Sequence, residues 1–436
     1  MLGYYLKLAL RSLRRNLVLT SLMILAIAVG ISACMTTMTV FRAMSGDPIP
    51  EKSGQLFAVQ IENWKPSNSK RNGDGLDEQL SYPDAHALML AHAAKRQSAM
   101  YLTDLAVRYP DPKQKPTREM TRAVYADFFP MFDVPFEFGS FWSKQDDEAG
   151  TPVVVLAKEL NDKLFGGKNS VGRTVQLSNQ TYTVVGVLKH WSPIPHFYDL
   201  HVLPFGESDQ MFVPFMNAIN RHQTEDGSLS CNVEAGSGWE GKLRSECTWL
   251  QYWVELPTSA DVQNYRRYLS NYAAEQRRTG RFSWPARTDV RDVRSWLVYN
   301  RIIPNEINIL LFVSLGFLLV CLMNAMGLML AKIMGRAPDI GVRRALGASR
   351  KAIFLQCLVE TGVVGFAGGL LGLVLTAFGL LMARTLLTRE FALLARLDLI
   401  DTVLTVGFAI VTTMLVGLYP TWRASFVQPA WQLKAQ

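Results

Sequence analysis

The chain has 436 residues, 49% of them hydrophobic and 19% charged, with a formal net charge of +8. That length holds more than one domain, and the balance is too apolar for a wholly aqueous protein and too polar for one embedded throughout. The positive charge does not gather on one compact region, as a nucleic-acid footprint requires, but stands beside apolar runs.

In chain order, a basic segment 1–16 with Lys7, Arg11, Arg14 and Arg15 precedes a first apolar stretch, 17–41. Three more follow at 305–333, 353–383 and 400–420. Crossing a bilayer takes roughly 20 predominantly apolar residues, so each is long enough. The first is too long for a signal-peptide core and lacks a small-x-small cleavage site before an evident mature start, so it reads as a retained anchor. Lys332 at the edge of the second span and Arg336, Arg343, Arg344, Arg350 and Lys351 within 334–352 lie between the second and third spans, and Arg423 and Lys434 lie in 421–436. The excess of Lys and Arg places these segments and the amino terminus in the cytoplasm. Residues 42–304 then lie outside, too long for a loop and therefore a folded domain, while 384–399 is a short outer loop. The expected fold class is an integral membrane helical protein with four transmembrane helices and a large α+β extracytoplasmic domain between the first two.

Within 42–304, "QLFAVQIE" alternates as a strand does, and "SYPDAHALMLAHAAKRQ" reads as a helix entered through Ser81 and Pro83. "TPVVVLAKELNDKLFGG" reads as a strand and an amphipathic helix closed by Gly166 and Gly167. "TVQL" and "YTVVGVL" flank the turn "SNQ" as a hairpin. Asn217 to Thr248 is polar and glycine-rich and reads as an irregular insertion; "ADVQNYRRYLSNYAAEQRR" is a further helix. An oxidising compartment favours a disulfide between Cys231 and Cys247, while Cys34, Cys321 and Cys357 fall in spans and read as small buried thiols.

Motifs for chemistry are poor in this chain. "GSGWEG" at Gly236–Gly241 fits GxGxxG by letter but lies in the insertion, without the strand a dinucleotide site needs. "FGGKNS" fails as a phosphate loop, because Asp162 stands where the first glycine belongs and Asn169 where Ser or Thr belongs. His190, His196 and His201 are spaced too widely for zinc pairs and lack supporting ligands, so no metal is expected. No nucleophile elbow or zinc-protease helix occurs, and no enzymatic activity is expected of the chain itself.

Glu360 is costly inside a bilayer and demands either hydration near the interface or a polar clasp to the basic loop that precedes its helix; Gln356 shares its helix face. Gly365 and Gly369, and Gly368 and Gly372, carry the small-xxx-small spacing that lets membrane helices approach, within a subunit or between subunits. Between the second and third spans, "DIGVRRALGASRKAI" predicts a short helix. Pro338 and Asp339 start it, Ile340, Val342, Ala345 and Leu346 give apolar contact, Gly347 stops it, and Ser349 caps the next helix. Gly341, Arg343 and Arg344 complete it. By composition alone it is either a topology signal that meets lipid headgroups or a lever that docks into another protein.

The stretch "DIGVRRALGASRKAIFLQCLVETGVVGFAGGLLG" resembles the FtsX/MacB-type permease family, the membrane subunits of a class of ABC transporters. Asp339, Ile340, Gly341, Val342, Arg343, Ala345, Gly347 and Ala348 fit its loop pattern, with Asp339 where Glu is usual. Gln356, Glu360, Gly368, Gly369 and Gly372 fit the helix that follows. "RAVYADFFPMFDVPFEFGSFW", "TPVVVLAKELNDKLFGGKNSVGRTVQLSNQTYTVVGVLK" and "MFVPF" are similar to the family's outer core domain. The resemblance implies a coupling helix at Asp339–Gly347 that contacts an ATP-binding subunit using ATP and Mg2+, with no cofactor on this chain. It implies a second permease copy or paralogue, an inner-membrane location with the large domain in a periplasm, and export of a drug, peptide or toxin by mechanotransmission. A periplasmic adaptor and outer-membrane channel are further partners it allows, beside membrane lipid and no nucleic acid. Lipoprotein extraction, and regulation of a periplasmic hydrolase in the manner of FtsX, are the alternatives.

Overall fold

The computed structural model describes residues 16–62, 76–109, 115–201, 204–232, 234–302, 305–386 and 399–425, with isolated positions 3, 8, 11 and 113. Lys7, Arg14, Arg15, Lys434, the side chain of Arg423 and most of the loop expected at 384–399 lie outside them. The chain divides into two compact units, Gly46–Ile302 and the combination of Met1–Ser45 with Ile303–Gln436.

After helix α1 (Leu17–Ser45), the larger unit runs β1 (Leu56–Glu62), β2 (Leu80–Ser81), α2 (Tyr82–Ala91), β3 (Arg96–Val107), β4 (Thr117–Val124), α3 (Phe128–Met131), β5 (Phe136–Gly139) and α4 (Lys144–Ala149). It continues through β6 (Val153–Leu156), α5 (Lys158–Phe165), β7 (Thr174–Leu177), β8 (Gln180–Leu188), β9 (Met211–Pro214) and α6 (Phe215–Asn220). It ends with α7 (Gly238–Arg244), β10 (Thr248–Glu255), α8 (Ser259–Arg278), β11 (Arg287–Asp292) and α9 (Val293–Tyr299). One sheet orders the strands β11–β1–β10–β3–β4–β9–β6–β8–β5, with β2 beside β10. The pairs β4–β9 and β6–β8 are parallel and the rest antiparallel. Because β7 pairs along β8 and also meets β3 at Val107 and Leu177, the strands β3, β4, β9, β6, β8 and β7 close into a ring.

Local signals set the element ends. Ser81 accepts a hydrogen bond from Asp84 N at the start of α2, with Pro83 in the first turn. Thr258 and Asp261 form a capping box on α8, and Gly166 closes α5 in the left-handed conformation. Ser178 and Asn179, both at positive φ, make the two-residue turn between β7 and β8, as the twist of paired strands favours. The alternation expected in β1 does not translate into two unlike faces, since all seven of its residues are buried. Apolar clusters cover both sides of the sheet. One holds Tyr101, Trp249, Tyr252 and Tyr265, and the other Phe128, Phe132, Tyr198, Phe212, Trp253 and Trp296.

Buried charge also fixes this unit. Arg122 of β4 reaches Asp199 and Asp209, each at 2.7 Å. Tyr198 donates to Asp209 at 3.0 Å, and Gln251 donates to Asp199 at 3.0 Å. The network ties the connection between β8 and β9 to the sheet through satisfied partners, as buried charge requires.

The insertion after Asn217 is more ordered than its composition implied, because α6 takes its first residues and α7 lies within it. Cys231 and Cys247 are disulfide-bonded, and Ser230 and Thr248 exchange backbone hydrogen bonds of 3.0 and 2.8 Å. In "GSGWEG", a Cβ on Gly241 would stand 2.3 Å from the Gly236 carbonyl. Those glycines serve a close backbone approach.

In the smaller unit, α10 (Asn305–Met334), α11 (Ala337–Ala345), α12 (Arg350–Leu386) and α13 (Leu399–Ser425) follow. Of its helices, α1, α10 and α12 are long and apolar enough to cross a membrane; the described apolar stretch of α13 is Gly407–Trp422. α1 packs against α10 and α12, and α12 against α13. Their core joins Met23, Ile27, Ile31, Leu318, Leu322, Met329, Val364 and Ala409. Cys34, Cys321 and Cys357 are buried free thiols.

Candidate functional site

The segment between α10 and α12 folds as a defined object. α11 begins at Ala337 with Pro338 in its first turn. Asp339 is not the cap, as the sequence suggested; it sits inside the first turn, where a carboxylate favours the positive helix end. The helix ends in a two-bond stop: Gly347 N donates to Arg344 O at 3.1 Å and Ala348 N to Arg343 O at 3.0 Å. Gly347 takes a φ of +97°, so the pattern is a Schellman ending. Ser349 Oγ then accepts from Ala352 N at 3.2 Å and caps α12.

α11 has an inner and an outer face. Gly341 is buried and Ile340 packs on the membrane-helix core. Val342 is 57% exposed and Leu346 83% exposed. Four residues apart, they share one face, flanked by exposed Asp339, Arg343 and Ala345; Arg344 is half-buried.

Beneath the helix, α12 supplies a polar clasp. Arg343 Nη1 donates to Gln356 Oε1 at 2.9 Å. Glu360 is buried; Lys332 Nζ stands 2.6 Å from its Oε1 and Arg336 Nη1 3.4 Å from its Oε2. Lys332 also donates to Thr20 Oγ1 at 3.3 Å. The start of α1, the end of α10, α11 and the start of α12 therefore meet at one end of this unit. Glu360 and Gln356 were legible as polar positions on one face. The clasp from Glu360 to the basic loop that the sequence offered is formed with Lys332 and Arg336; the tie of Lys332 to Thr20 was not legible, because Thr20 read as part of an apolar run.

The glycines of α12 face other helices of the same chain. A Cβ on Gly368 would meet Ile27 Cγ2 at 2.7 Å, and one on Gly372 the Ala28 carbonyl at 3.2 Å, both on α1. On Gly365 it would meet Thr413 Cβ of α13 at 2.8 Å; Gly369 is buried as well. Gly417 of α13, which the spacing argument did not single out, is tighter still, with Thr361 Cγ2 at 2.3 Å from an added Cβ. Two faces of α12 thus use small residues, one toward each neighbour.

The three histidines of the β8–β9 connection have separate surroundings. His190 meets Glu159 at 2.6 Å, His201 meets Glu78 at 2.9 Å, and His196 is buried beside Tyr198. Among the described residues, no group of three or more His, Cys, Asp or Glu side chains is placed to hold a metal ion.

The sequence pattern of the MacB-like periplasmic core domain matches residues 20–272. The chain belongs to the MacB-like permease family. The FtsX-like permease C-terminal pattern matches residues 311–429 and takes in α11, Glu360 and the α12 glycines of this MacB-like permease. It is 27% identical over 440 residues to the macrolide export ATP-binding/permease protein MacB of Rhodospirillum rubrum, covering 100% of this chain and 60% of that protein. Over 311 residues it is 24% identical to the pyoverdine export ATP-binding/permease protein PvdT of Pseudomonas aeruginosa, covering 71% of this chain and 41% of that one. The periplasmic region of MacB from Actinobacillus actinomycetemcomitans aligns with a TM-score of 0.35 at 13% identity, covering 56% of this chain and 91% of that structure. The chain spans about 60% of the length of the first of these curated relatives.

Proposed function

We propose that this chain is the membrane subunit of an ABC exporter, with four spans in the inner membrane, both termini cytoplasmic and the larger unit in the periplasm. An ATP-binding subunit docks on α11, two permease copies or paralogues pair, and closure of the ATPase is passed through α11 and α12 to the outer domains. Those domains then drive a substrate already outside the membrane. The exposed pair Val342 and Leu346 on a firmly anchored helix carries this reading. A topology signal needs only charge, whereas a docking helix needs an apolar knob held rigidly. The basic residues gathered at the same end of the unit support a cytoplasmic position for it. The export named for the relatives supports a transport role over regulation of a hydrolase.

The test is affinity purification of the full chain from its native membrane, followed by mass spectrometry of what accompanies it. A stoichiometric ATP-binding subunit is expected. Val342→Asp with Leu346→Asp should release that subunit while leaving membrane insertion and thermal stability unchanged, because both side chains face outward. Retention of the ATPase by this double variant, or absence of any ATPase from the native preparation after crosslinking, would overturn the proposal.

A further inference from the structure

The larger unit contains a cleft that none of the coupling machinery uses. It lies between α2 and α4, has a volume of about 260 Å3, and stays within this one unit. Met89, Met216 and Tyr125 supply its apolar wall. Leu90 forms a lip that is 66% exposed, on a helix that buries Ala85 and Leu88. Thioether side chains adapt to varied apolar shapes, and a concave apolar site with a few polar groups is the ordinary form of a small-molecule site.

The polar groups are biased toward acceptors. Gln97 is 2% exposed and donates through Nε2 to the carbonyls of Leu88 at 3.1 Å and Met89 at 2.6 Å. Its Oε1 is buried and has no donor among the described residues. Asp127, Asp147 and Glu148 bring three carboxyl groups beside one lysine, Lys144. Lys144 is committed to Asp127 at 3.3 Å. Asp147 is buried and accepts from Ala126 N at 2.7 Å and Trp142 Nε1 at 2.6 Å. Glu148 is exposed and makes no ion pair among the described residues. His86 and His92 complete the rim.

We propose that this cleft binds a small amphipathic amine, whose apolar body lies against Met89, Met216 and Leu90 and whose cationic nitrogen turns toward Glu148 and the acceptor-rich rim. An ammonium offers three donors and no acceptor, the complement of a rim that carries the exposed Glu148 carboxylate. A carboxylate or phosphate ligand would meet like charge here. The binding is a property of the outer unit and stands apart from the export reading, since it needs neither an ATPase nor a second permease.

The test is ligand-observed saturation-transfer NMR on the full chain in lipid nanodiscs, with phenethylamine as probe and 2-phenylethanol as its uncharged counterpart. Saturation transfer to the amine is expected, with the alcohol binding at least about threefold more weakly. That is the scale of a solvent-exposed charge contact. Glu148→Gln, at an exposed position, should weaken the amine by about three- to fivefold and bring it level with the alcohol. Leu90→Lys, which removes an apolar contact and sets a competing cation on the lip, should weaken amine binding by at least about threefold. Equal binding of amine and alcohol, no binding of either, or an unchanged amine affinity in Glu148→Gln would each overturn the proposal. Wild-type binding by Leu90→Lys would overturn its placement in this cleft.

Discussion

Glu360→Gln keeps the size of the side chain and removes its charge. In the folded protein Lys332 Nζ lies 2.6 Å from Glu360, with side-chain exposures of 3% and 9%. Thr20 Oγ1 at 3.3 Å stays beside the ammonium as a neutral acceptor. Removing one member of a buried pair costs about 3–5 kcal/mol, because the other charge stays buried. Arg336 is less enclosed and farther, at 3.4 Å, so its share falls in the surface range of about 1 kcal/mol or less. The glutamine oxygen can still accept a hydrogen bond, which returns about 1 kcal/mol. The expected net loss is about 3 kcal/mol. Adding Lys332→Met removes the stranded cation and should restore most of that loss, since apolar replacement of a whole buried pair is often neutral. Unfolding in mixed micelles of increasing SDS fraction, followed by circular dichroism, measures both variants. A loss below about 0.5 kcal/mol, the range of inert surface changes, would refute the account of the clasp, as would failure of the second substitution to rescue the first.

Gly368→Leu should force α12 away from Ile27 and lower stability by about 1–3 kcal/mol or more. Gly407→Ala, with open space around it, should be neutral or slightly stabilising in the same unfolding assay. Arg122→Met would leave Asp199 and Asp209 buried without their cation, so a loss of about 3–5 kcal/mol is expected in thermal unfolding of the full chain. Burial pushes the Asp147 carboxyl up to about 7, against the lowering effect of its bonds from Ala126 and Trp142. The folded state therefore holds a proton there that the unfolded chain has already released. Its stabilising contribution is fully present below the unfolded value near 4 and is lost as pH rises through about 7. Asp147→Asn should flatten that part of the stability profile between pH 4 and 7, and an unchanged slope would contradict the assignment.

The order of elements was legible because its signals are local. Ser81 announces a helix start, and Gly166 and Gly347 helix stops, through backbone geometry that neighbouring residues satisfy by themselves. The apolar runs of α1, α10 and α12 follow from length and composition, which is all that crossing a bilayer asks of a helix. The paired glycines of α12 were visible as spacing, and Glu360 as an expensive residue in an apolar run.

What those features touch was not legible, because contacts across a fold depend on which helices and strands become neighbours. Sequence spacing did not decide whether the α12 glycines serve packing within a subunit or between subunits; in the folded chain they lie against α1 and α13. The partners of Glu360 come from the far end of α10 and the entry to α11, with Lys332 tied in turn to Thr20. His190 and His201 of the β8–β9 connection meet Glu159 and Glu78 from distant segments, neighbours that their spacing in sequence does not show. The closure of β3, β4, β9, β6, β8 and β7 into a ring and the cleft between α2 and α4 likewise arise only when distant segments pack. Local chemistry in the sequence determined which elements form and where they end. Long-range burial decided which side chains meet.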